Sequence, residues 1–290
     1  MNNCSRLGSE SLLADHMKKI LVTGSAGFIG QYVQNELHAR GFIPVSFDQP
    51  EDVCDRIGLL VQMDGCSGVI NLAGRLGTSE TFGVEVETAK VNILGALTVA
   101  DVAAKYGIPM VQIGTGHKGQ ANPYAITKAC AEDLLLERAR VTGDQVSVVR
   151  AFHAYGPGQK MCAPHGPSPV RKIIPSFVCR ALTGMPVEVN GSGLQKVDLV
   201  HVADVACLLV DALGLPFGEV YEAGTGNGLS VLEVARTVIE LCDSDSAVEF
   251  LPMRPGEPED SVVVAQRPQC ERLFPFGMLD TINYYRSKLS

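Results

Sequence analysis

The chain has 290 residues, of which 46% are hydrophobic and 19% charged, so it has enough apolar sequence for a sizeable core and is not a globally disordered protein. Acidic residues outnumber basic ones, 32 against 24, and the formal net charge of −8 gives no reason to expect a nucleic-acid partner. No apolar stretch reaches the roughly 18 residues that a membrane span needs, so no membrane partner is expected.

The first 16 residues are polar and aperiodic, and we predict a disordered extension there rather than a signal peptide. Short β-branched runs then alternate with longer helical stretches, which is typical of a parallel sheet with helices on both faces. The predicted strands are 20–23, 43–47, 68–72, 109–113, 145–150 and 220–223, and the predicted helices are 27–40, 86–106 and 124–142.

Loops rich in proline and glycine follow Arg150 and interrupt this alternation. We therefore predict an α/β protein with a doubly wound parallel sheet in residues 17–157, completed by segments near 198–224. Residues 158–290 are predicted to form mainly a smaller α/β subdomain.

The first strand leads into a glycine-rich turn, Gly24-Ser25-Ala26-Gly27-Phe28-Ile29-Gly30, and then into a helix. Gly24 permits a tight turn, Gly27 lets the backbone approach a pyrophosphate, and Gly30 lets the helix pack closely on the strand. The spacing is GxxGxxG rather than GxGxxG, so the turn by itself fits a purely structural role as well.

Asp48 ends the second strand, 18 residues after Gly30. A carboxylate there can accept both hydroxyls of an adenosine ribose and would repel a 2′-phosphate, which favours NAD over NADP. A solvated turn aspartate is the alternative. The other residues predicted to contact the cofactor from the turn and the neighbouring strand ends are Phe28, Ile29, Asp52, Val53, Leu72, Ala73 and Gly74.

Tyr124 and Lys128 form a YxxxK pair, which a helix places on one face. An ammonium about 4–6 Å from a tyrosine hydroxyl would favour the phenolate by roughly 3–4 kcal/mol, so Tyr124 is predicted to act as a base and acid near neutral pH. Thr115 follows the preceding strand, where its hydroxyl could bond a sugar oxygen.

Together these residues resemble the extended short-chain dehydrogenase/reductases of the NAD-dependent epimerase/dehydratase family. The resemblance covers nearly the whole chain after Met17. The matching segments are 23–30 (TGSAGFIG), 71–74 (NLAG), 91–95 (VNILG), 122–128 (NPYAITK), 150–158 (RAFHAYGPG), 198–206 (DLVHVADVA) and 254–257 (RPGE).

The resemblance implies a Rossmann domain that holds NAD and a C-terminal domain that binds a nucleotide-diphosphate sugar. Lys128 would also bind the nicotinamide ribose, while Thr115 and Tyr124 would contact the reacting hydroxyl. Asn92, Ala151 and His153 join the cofactor-binding residues that this likeness implies. The predicted substrate-binding residues are Arg75, Thr115, His117, His153, Arg171, Lys172 and Arg254.

Four positions depart from the common family pattern. Only eight residues separate Thr115 from Tyr124, a shorter excursion than is usual, and none of them is acidic. The 4,6-dehydratases have Asp-Glu directly after the threonine, whereas Gly116-His117 stands here. His153 replaces a frequent asparagine and Val197 a frequent arginine, so Arg171 and Lys172 are candidates for the missing phosphate contact.

We therefore predict an NAD-dependent nucleotide-sugar epimerase that acts at sugar carbon 4 through a transient ketone. The main alternative is a nucleotide-sugar ketoreductase or dehydrogenase, which would exchange its cofactor at every turnover. A 4,6-dehydratase is disfavoured by the missing carboxylates. A non-enzymatic NAD sensor is disfavoured by the Tyr124–Lys128 pair.

The predicted helices 86–106 and 124–142 carry apolar stripes. The family resemblance implies a homodimer in which these helices form a four-helix bundle, although packing within one subunit would explain the stripes equally well. The nine cysteines include no CxxC pair and the six histidines no metal spacing, so we expect a reducing cytoplasmic location and no metal site.

Overall fold

A computed structural model describes residues 18–290, so the predicted extension over residues 1–16 lies outside the described residues. The strands are β1 (Lys19–Thr23), β2 (Ile43–Phe47), β3 (Cys66–Asn71), β4 (Met110–Thr115), β5 (Val146–Ala151), β6 (His153–Tyr155), β7 (Val187–Asn190), β8 (Lys196–His201), β9 (Val220–Ala223), β10 (Gly228–Ser230), β11 (Val248–Leu251) and β12 (Val262–Val263). The helices are α1 (Phe28–Ala39), α2 (Arg56–Met63), α3 (Glu85–Ala89), α4 (Ala96–Tyr106), α5 (Pro123–Thr142), α6 (Ile173–Leu182), α7 (Val202–Asp211), α8 (Val231–Leu241) and α9 (Met278–Leu289).

A parallel sheet of six strands forms the centre of the molecule, in the order β2-β1-β3-β4-β5-β9. Successive residues of a strand point to opposite faces, and both faces of this sheet are covered. In β1, Ile20 and Val22 pack toward α1 and α7, whereas Leu21 packs toward α2 and α4. This doubly wound α/β architecture is the predicted fold class.

The sequence predicted the main-sheet strands to within two residues at each end, because all of them are short apolar runs. The return of residues 220–223 to this sheet is also found, since β9 pairs with β5. The division of the chain into two domains at residue 158 stays a prediction.

Residues beyond β5 build a second hydrophobic core around α6, α8 and α9. Strands β10, β8 and β12 form a small sheet, β6 joins it through β8, and β7 pairs with β11. Asp198 in β8 is fully buried and accepts hydrogen bonds from the backbone N–H groups of Thr225, Gly226 and Ala265. This carboxylate therefore holds together the loops that follow β9 and β12.

Between β1 and β5 the structure differs from the sequence prediction in two helical regions. Helix α2 was not predicted; its Arg56–Met63 segment is short and buries only two residues. The helix expected over residues 86–106 is interrupted by a π-helical segment, Lys90–Gly95, between α3 and α4. Asn92 within that segment is buried and bonds to the loop after β3, which the wider helical turn permits.

Within residues 18–290, no helix combines the length and apolarity needed to cross a membrane. The same part of the chain contains no cluster of three or more histidine, cysteine, aspartate or glutamate side chains able to hold a metal ion.

Candidate active site

The glycine-rich turn between β1 and α1 lies at one end of a long cleft. Gly24 has a φ angle of +64°, and a Cβ atom there would lie 3.0 Å from the backbone of Leu72 and Ala73. A Cβ atom on Gly30 would lie 2.4 Å from the Gly24 carbonyl oxygen. Only glycine therefore allows the N-terminus of α1 to lie this close to the strand ends, where it can meet a phosphate.

A buried chain of hydrogen bonds joins three neighbouring strands, β1, β3 and β4, beneath this turn. The Thr23 hydroxyl bonds to Asn71, whose amide nitrogen donates to Gln112 Oε1 over 2.7 Å. The Thr23 oxygen also accepts the N–H groups of Leu72 and Ala73. The sequence analysis missed this support, although polar residues ending otherwise apolar strands were a usable signal.

Asp48 lies where the sequence placed it, at the end of β2 beside the glycine turn. Its Oδ2 accepts the Ala26 N–H over 2.7 Å, and its Oδ1 accepts the Gln49 N–H at the same distance. Asp52, further along the rim, accepts from the Cys54 N–H and from Lys90, which together lower its pKa. Two carboxylates thus mark one end of the cleft.

The cleft has a volume of about 1180 Å³ and runs from the glycine turn to the C-terminal part of the chain. It brings together residues that are up to 239 positions apart, from Gly24 to Val263. The predicted site residues that line it are Gly24, Gly27, Phe28, Ile29, Gly30, Asp48, Asp52, Val53, Leu72, Ala73, Gly74, Thr115, His117, Tyr124, Lys128, Ala151, His153, Arg171, Lys172 and Arg254.

Two predicted residues, Arg75 and Asn92, do not line the cleft. Asn92 is 1% exposed and supports the cleft wall instead: it accepts the Arg75 N–H over 2.8 Å and donates to the Arg75 carbonyl and the Thr127 hydroxyl. The Arg75 side chain is exposed. The role of Arg75 in substrate binding therefore stays a prediction.

Helix α5 places Tyr124 and Lys128 in the cleft. Asn122 caps the helix by accepting the Ala125 N–H over 2.9 Å, and Pro123 follows in the first helical turn. The Asn122 amide also donates to the Gly256 carbonyl over 3.0 Å, which ties the start of α5 to the far wall of the cleft. The i, i+4 spacing then places both side chains on the cleft face of α5.

The charge state of this pair differs from the sequence expectation. Burial raises the pKa of Tyr124, and a hydrogen bond from Thr115 opposes that rise. The expected lowering of the Tyr124 pKa by Lys128 is not found in the chain alone. Burial lowers the pKa of Lys128 to about 8, while Glu132, one helical turn further on, acts to raise it.

Two histidines line the cleft next to Thr115. The His117 and His153 rings meet edge to face with centroids 4.7 Å apart. Burial and the charge of Lys172 lower the pKa of His153 to about 4, and burial, His153 and Lys172 hold that of His117 well below its usual value. Both imidazoles are therefore neutral at pH 7. His153 Nδ1 is buried and has no hydrogen-bond partner among the described residues.

Three predicted substrate-binding cations differ in their surroundings. Arg254 is ion-paired to Glu257 and lies 3.7 Å from Glu80, and Arg171 is paired to Glu188 over 2.7 Å. Lys172 forms no ion pair with a carboxylate within the described part of the chain. The sequence analysis identified the cations but missed the acidic partners, which are far from them in sequence or lie in loops.

Comparison with known proteins decides the family. Residues 20–224 match the model of the NAD dependent epimerase/dehydratase family. The chain belongs to this family. The predicted fold class and the predicted NAD cofactor are confirmed with it, because the family is NAD dependent and has this fold.

Individual members of the family resemble the chain to similar extents. It is 28% identical to a dTDP-glucose 4,6-dehydratase of an Actinoplanes species, over 94% of this chain and 99% of that protein. A trifunctional UDP-glucose 4,6-dehydratase/UDP-4-keto-6-deoxy-D-glucose 3,5-epimerase/UDP-4-keto-L-rhamnose-reductase of Arabidopsis thaliana is 26% identical, but the match spans 42% of its length and 82% of this chain. The structure of a Thermus thermophilus UDP-glucose 4-epimerase in complex with NAD is 26% identical, with a TM-score of 0.79, over 92% of this chain and 99% of that one.

Proposed function

We propose that the protein is an NAD-dependent epimerase of a nucleotide-diphosphate sugar, acting at sugar carbon 4 through a transient keto-sugar. The observation that carries the proposal is the convergence of Thr115, Tyr124 and Lys128 on the cleft that also holds the glycine turn. Residues 116–123, which follow Thr115, contain no carboxylate that could drive the loss of water. The relatives include dehydratases and an epimerase at similar sequence identity, so identity does not distinguish the two activities. The lack of a carboxylate in residues 116–123 favours the epimerase.

The cleft fits NAD on its own geometry. The turn at Gly24 and Gly30 leaves no room for side chains beside the strand ends, so a pyrophosphate can approach the N-terminus of α1. Asp48 would hold the adenosine ribose, and Lys128 the nicotinamide ribose. When bound, NAD supplies the acceptor for the hydrogen that leaves the sugar carbon and returns it to the other face of the ketone.

The protein's own residues handle the proton. Tyr124 would take the proton of the sugar hydroxyl and later return it, while the Thr115 hydroxyl bonds the same oxygen. Lys128 carries a positive charge at neutral pH, because its pKa of about 8 lies above 7.

Binding energy must come mainly from the nucleotide part of the substrate, since the sugar has to present both faces to one fixed ring. Lys172 offers the diphosphate a cation that carries no ion pair within residues 18–290. Arg254 and Arg171 line the same part of the cleft, where Glu257, Glu80 and Glu188 hold them in place.

The test is to purify the protein, extract and identify any bound dinucleotide, and incubate the protein with UDP-, dTDP-, GDP- and CDP-sugars without added cofactor. We expect two stereoisomers of one sugar nucleotide to interconvert with no net formation of NADH. A requirement for stoichiometric NAD(P)H would instead identify a ketoreductase, and release of water with a 4-keto-6-deoxy product a dehydratase.

The Tyr124→Phe variant should lose at least about 100-fold in kcat, because it lacks the group that exchanges the proton. Tyr106→Phe is the matched control: the Tyr106 hydroxyl bonds the Leu60 carbonyl at the end of α4, and the residue does not line the cleft. Equal activity of the two variants would exclude Tyr124 as the acid–base group.

We also propose that the protein is a homodimer joined through α4 and α5 and the segment before them. Apolar side chains on the outer surface of these elements remain uncovered: Leu94 is 52% exposed, Ile126 57% and Leu134 44%. A paired copy of the same helices would bury them, which supports the four-helix bundle expected from the family resemblance.

A further inference from the structure

Residues 156–160, which follow β6, form a strap along the wall of the cleft. Gly158, Gln159 and Lys160 of this strap line the cleft, as does Phe28 in the first turn of α1. The first turn of α1 is also where the glycine turn would meet the pyrophosphate of NAD. The proposed function gives the strap no role.

Two phenols from separate helices hold the strap. Tyr32 of α1 donates its hydroxyl to the Pro157 carbonyl over 3.0 Å, and its ring meets that of Phe28 edge to face with centroids 5.9 Å apart. Tyr285 of α9 donates its hydroxyl to the Gln159 carbonyl over 2.7 Å. Burial raises the pKa of both phenols, so each stays protonated and able to donate at neutral pH.

The two anchoring phenols belong to different hydrophobic cores. Tyr32 packs against the core between the main sheet and helices α1 and α7. Tyr285 is 0% exposed and is part of the core around α6, α8 and α9. Neither phenol lines the cleft, so both act on a bound cofactor only through the strap.

The backbone of the strap can change its shape at Gly158. This residue has a φ angle of +92°, and no atom lies within 4 Å of the position that a Cβ atom would take. A glycine in open space can change its backbone angles without a clash, as residues at the hinge of a moving loop must do. The two phenol bonds would therefore have to break before the strap moves away from the cleft.

We propose that the strap retains bound NAD, and that Tyr32 and Tyr285 are the positioning residues that set how long NAD stays in the cleft. The purpose of this retention rests on the proposed function. An epimerase must keep its cofactor until the hydrogen has returned to the same sugar, whereas a ketoreductase or dehydrogenase must release it at every turnover. Retention of NAD is thus a property that separates the proposed activity from its main alternative.

Removing one phenol hydroxyl should speed the release of NAD. The strap carbonyl then lacks its donor while the strap is closed, but it can bond water when the strap is open, so the open state is favoured. We expect Tyr32→Phe and Tyr285→Phe each to raise the dissociation rate of NAD about fivefold. The double variant should raise it about 25-fold, because opening breaks both bonds.

The measurement uses NAD alone. The protein is loaded with radiolabelled NAD, separated from free label by gel filtration and mixed with excess unlabelled NAD, and the label that stays bound is followed by filter binding. Unchanged dissociation rates in all three variants would overturn the proposal. A wild-type protein that loses its NAD during gel filtration would also overturn it.

Tyr221→Phe is the matched control. The Tyr221 hydroxyl also donates to a proline carbonyl, that of Pro216, over 2.7 Å, but neither residue belongs to the strap or lines the cleft. Dissociation of NAD from this control should stay within about twofold of the wild type. If the control released NAD as fast as the strap variants, the effect would not belong to the strap and the proposal would fail.

A second variant guards against loss of folding. Tyr285 is fully buried, so if Tyr285→Phe does not fold, Tyr32→Phe at a half-buried position decides the test by itself.

The strap proposal and the epimerase proposal fail in different ways. Exchange of NAD needs no sugar, so it decides on the strap even if the wild type converts no sugar nucleotide, a result that refutes the epimerase alone. If the protein is an epimerase, the double variant should lose activity after dilution without added NAD and regain it when NAD is supplied. A double variant that keeps its activity as long as the wild type under these conditions would contradict the role of the strap.

Discussion

Lys128 is the residue whose charge is most constrained by its surroundings. Its side chain is 4% exposed, and a Cβ atom placed on Gly74 would lie 3.9 Å from its Nζ. Burial disfavours the ammonium and lowers the pKa to about 8, well below the ordinary lysine value. The protein therefore loses stability in order to hold a cation beside Tyr124, which is typical of a functional site.

Replacing Lys128 with methionine should stabilise the fold while it abolishes activity. Between pH 8 and about 10.4 the unfolded chain binds more protons at this position than the folded chain, so wild-type stability should rise with pH in that window. At pH 7 we expect the unfolding free energy of Lys128→Met to exceed that of the wild type by about 1–3 kcal/mol. The variant should also lack the increase in stability that the wild type shows above pH 8. Urea denaturation at pH 7 and pH 9.5 measures both effects.

The control for this prediction is Lys105→Met, which alters an exposed lysine in the last turn of α4. Its stability should stay within about 0.5 kcal/mol of the wild type. A Lys128→Met protein that is less stable than the wild type at pH 7 would contradict the argument, since it would show that the buried ammonium is stabilised by its contacts.

At the level of elements, α5 is joined to the sheet by a cluster of charges around the buried carboxylate of Glu132. The Glu132 side chain is 2% exposed, and its carboxylate contacts Lys118 Nζ at 2.8 Å and Arg150 Nε at 3.0 Å. Arg150 lies 3.6 Å from Glu222 of β9 as well. Burial would raise the pKa of Glu132, but Arg150 and Lys118 outweigh it and the pKa is lowered.

We expect Glu132→Gln to change both stability and pH dependence. Removing one partner leaves Arg150 and Lys118 partly uncompensated, which should cost about 3 kcal/mol of unfolding free energy. Glu132 also acts to raise the pKa of Lys128, so in the variant that pKa should fall below about 8. The alkaline decline of kcat/KM should move to lower pH.

A matched control exists on the same helix. Glu137 forms an exposed i, i+3 ion pair with Arg140, and Glu137→Gln should cost less than about 0.5 kcal/mol and leave the pH profile unchanged. If both variants kept the wild-type profile, Glu132 would have only a structural role.

At the scale of the whole molecule, the uncovered apolar surface of α4 and α5 bears on assembly. Ile126→Glu should convert the proposed dimer into a monomer, because a carboxylate at the centre of a helix bundle would lose its hydration. Sedimentation velocity measures the change. Ile57→Glu, at a 75% exposed position on α2, is the control and should leave the dimer intact. A wild-type monomer at micromolar concentration would refute the proposed assembly.

Local sequence patterns were enough to predict the main sheet, the glycine turn and the Tyr124–Lys128 pair. These features depend on neighbours along the chain: a strand is a short apolar run, a tight turn needs glycine, and an i, i+4 spacing fixes two side chains on one helix face. Departures from the family pattern, such as His117, were also visible in the sequence.

The partner of each charged group depends on the fold, and local sequence patterns did not predict it. Arg254 lies near Glu80, and Glu132 meets Arg150, across large separations in sequence. Asn92 proved to hold the backbone of Arg75 instead of lining the cleft. The side-chain bond from Thr115 to His117, although local, depends on the direction in which the buried end of β4 points the threonine. Such contacts arise when distant strand ends meet at one edge of a sheet, and the spacing of residues along the chain does not specify them.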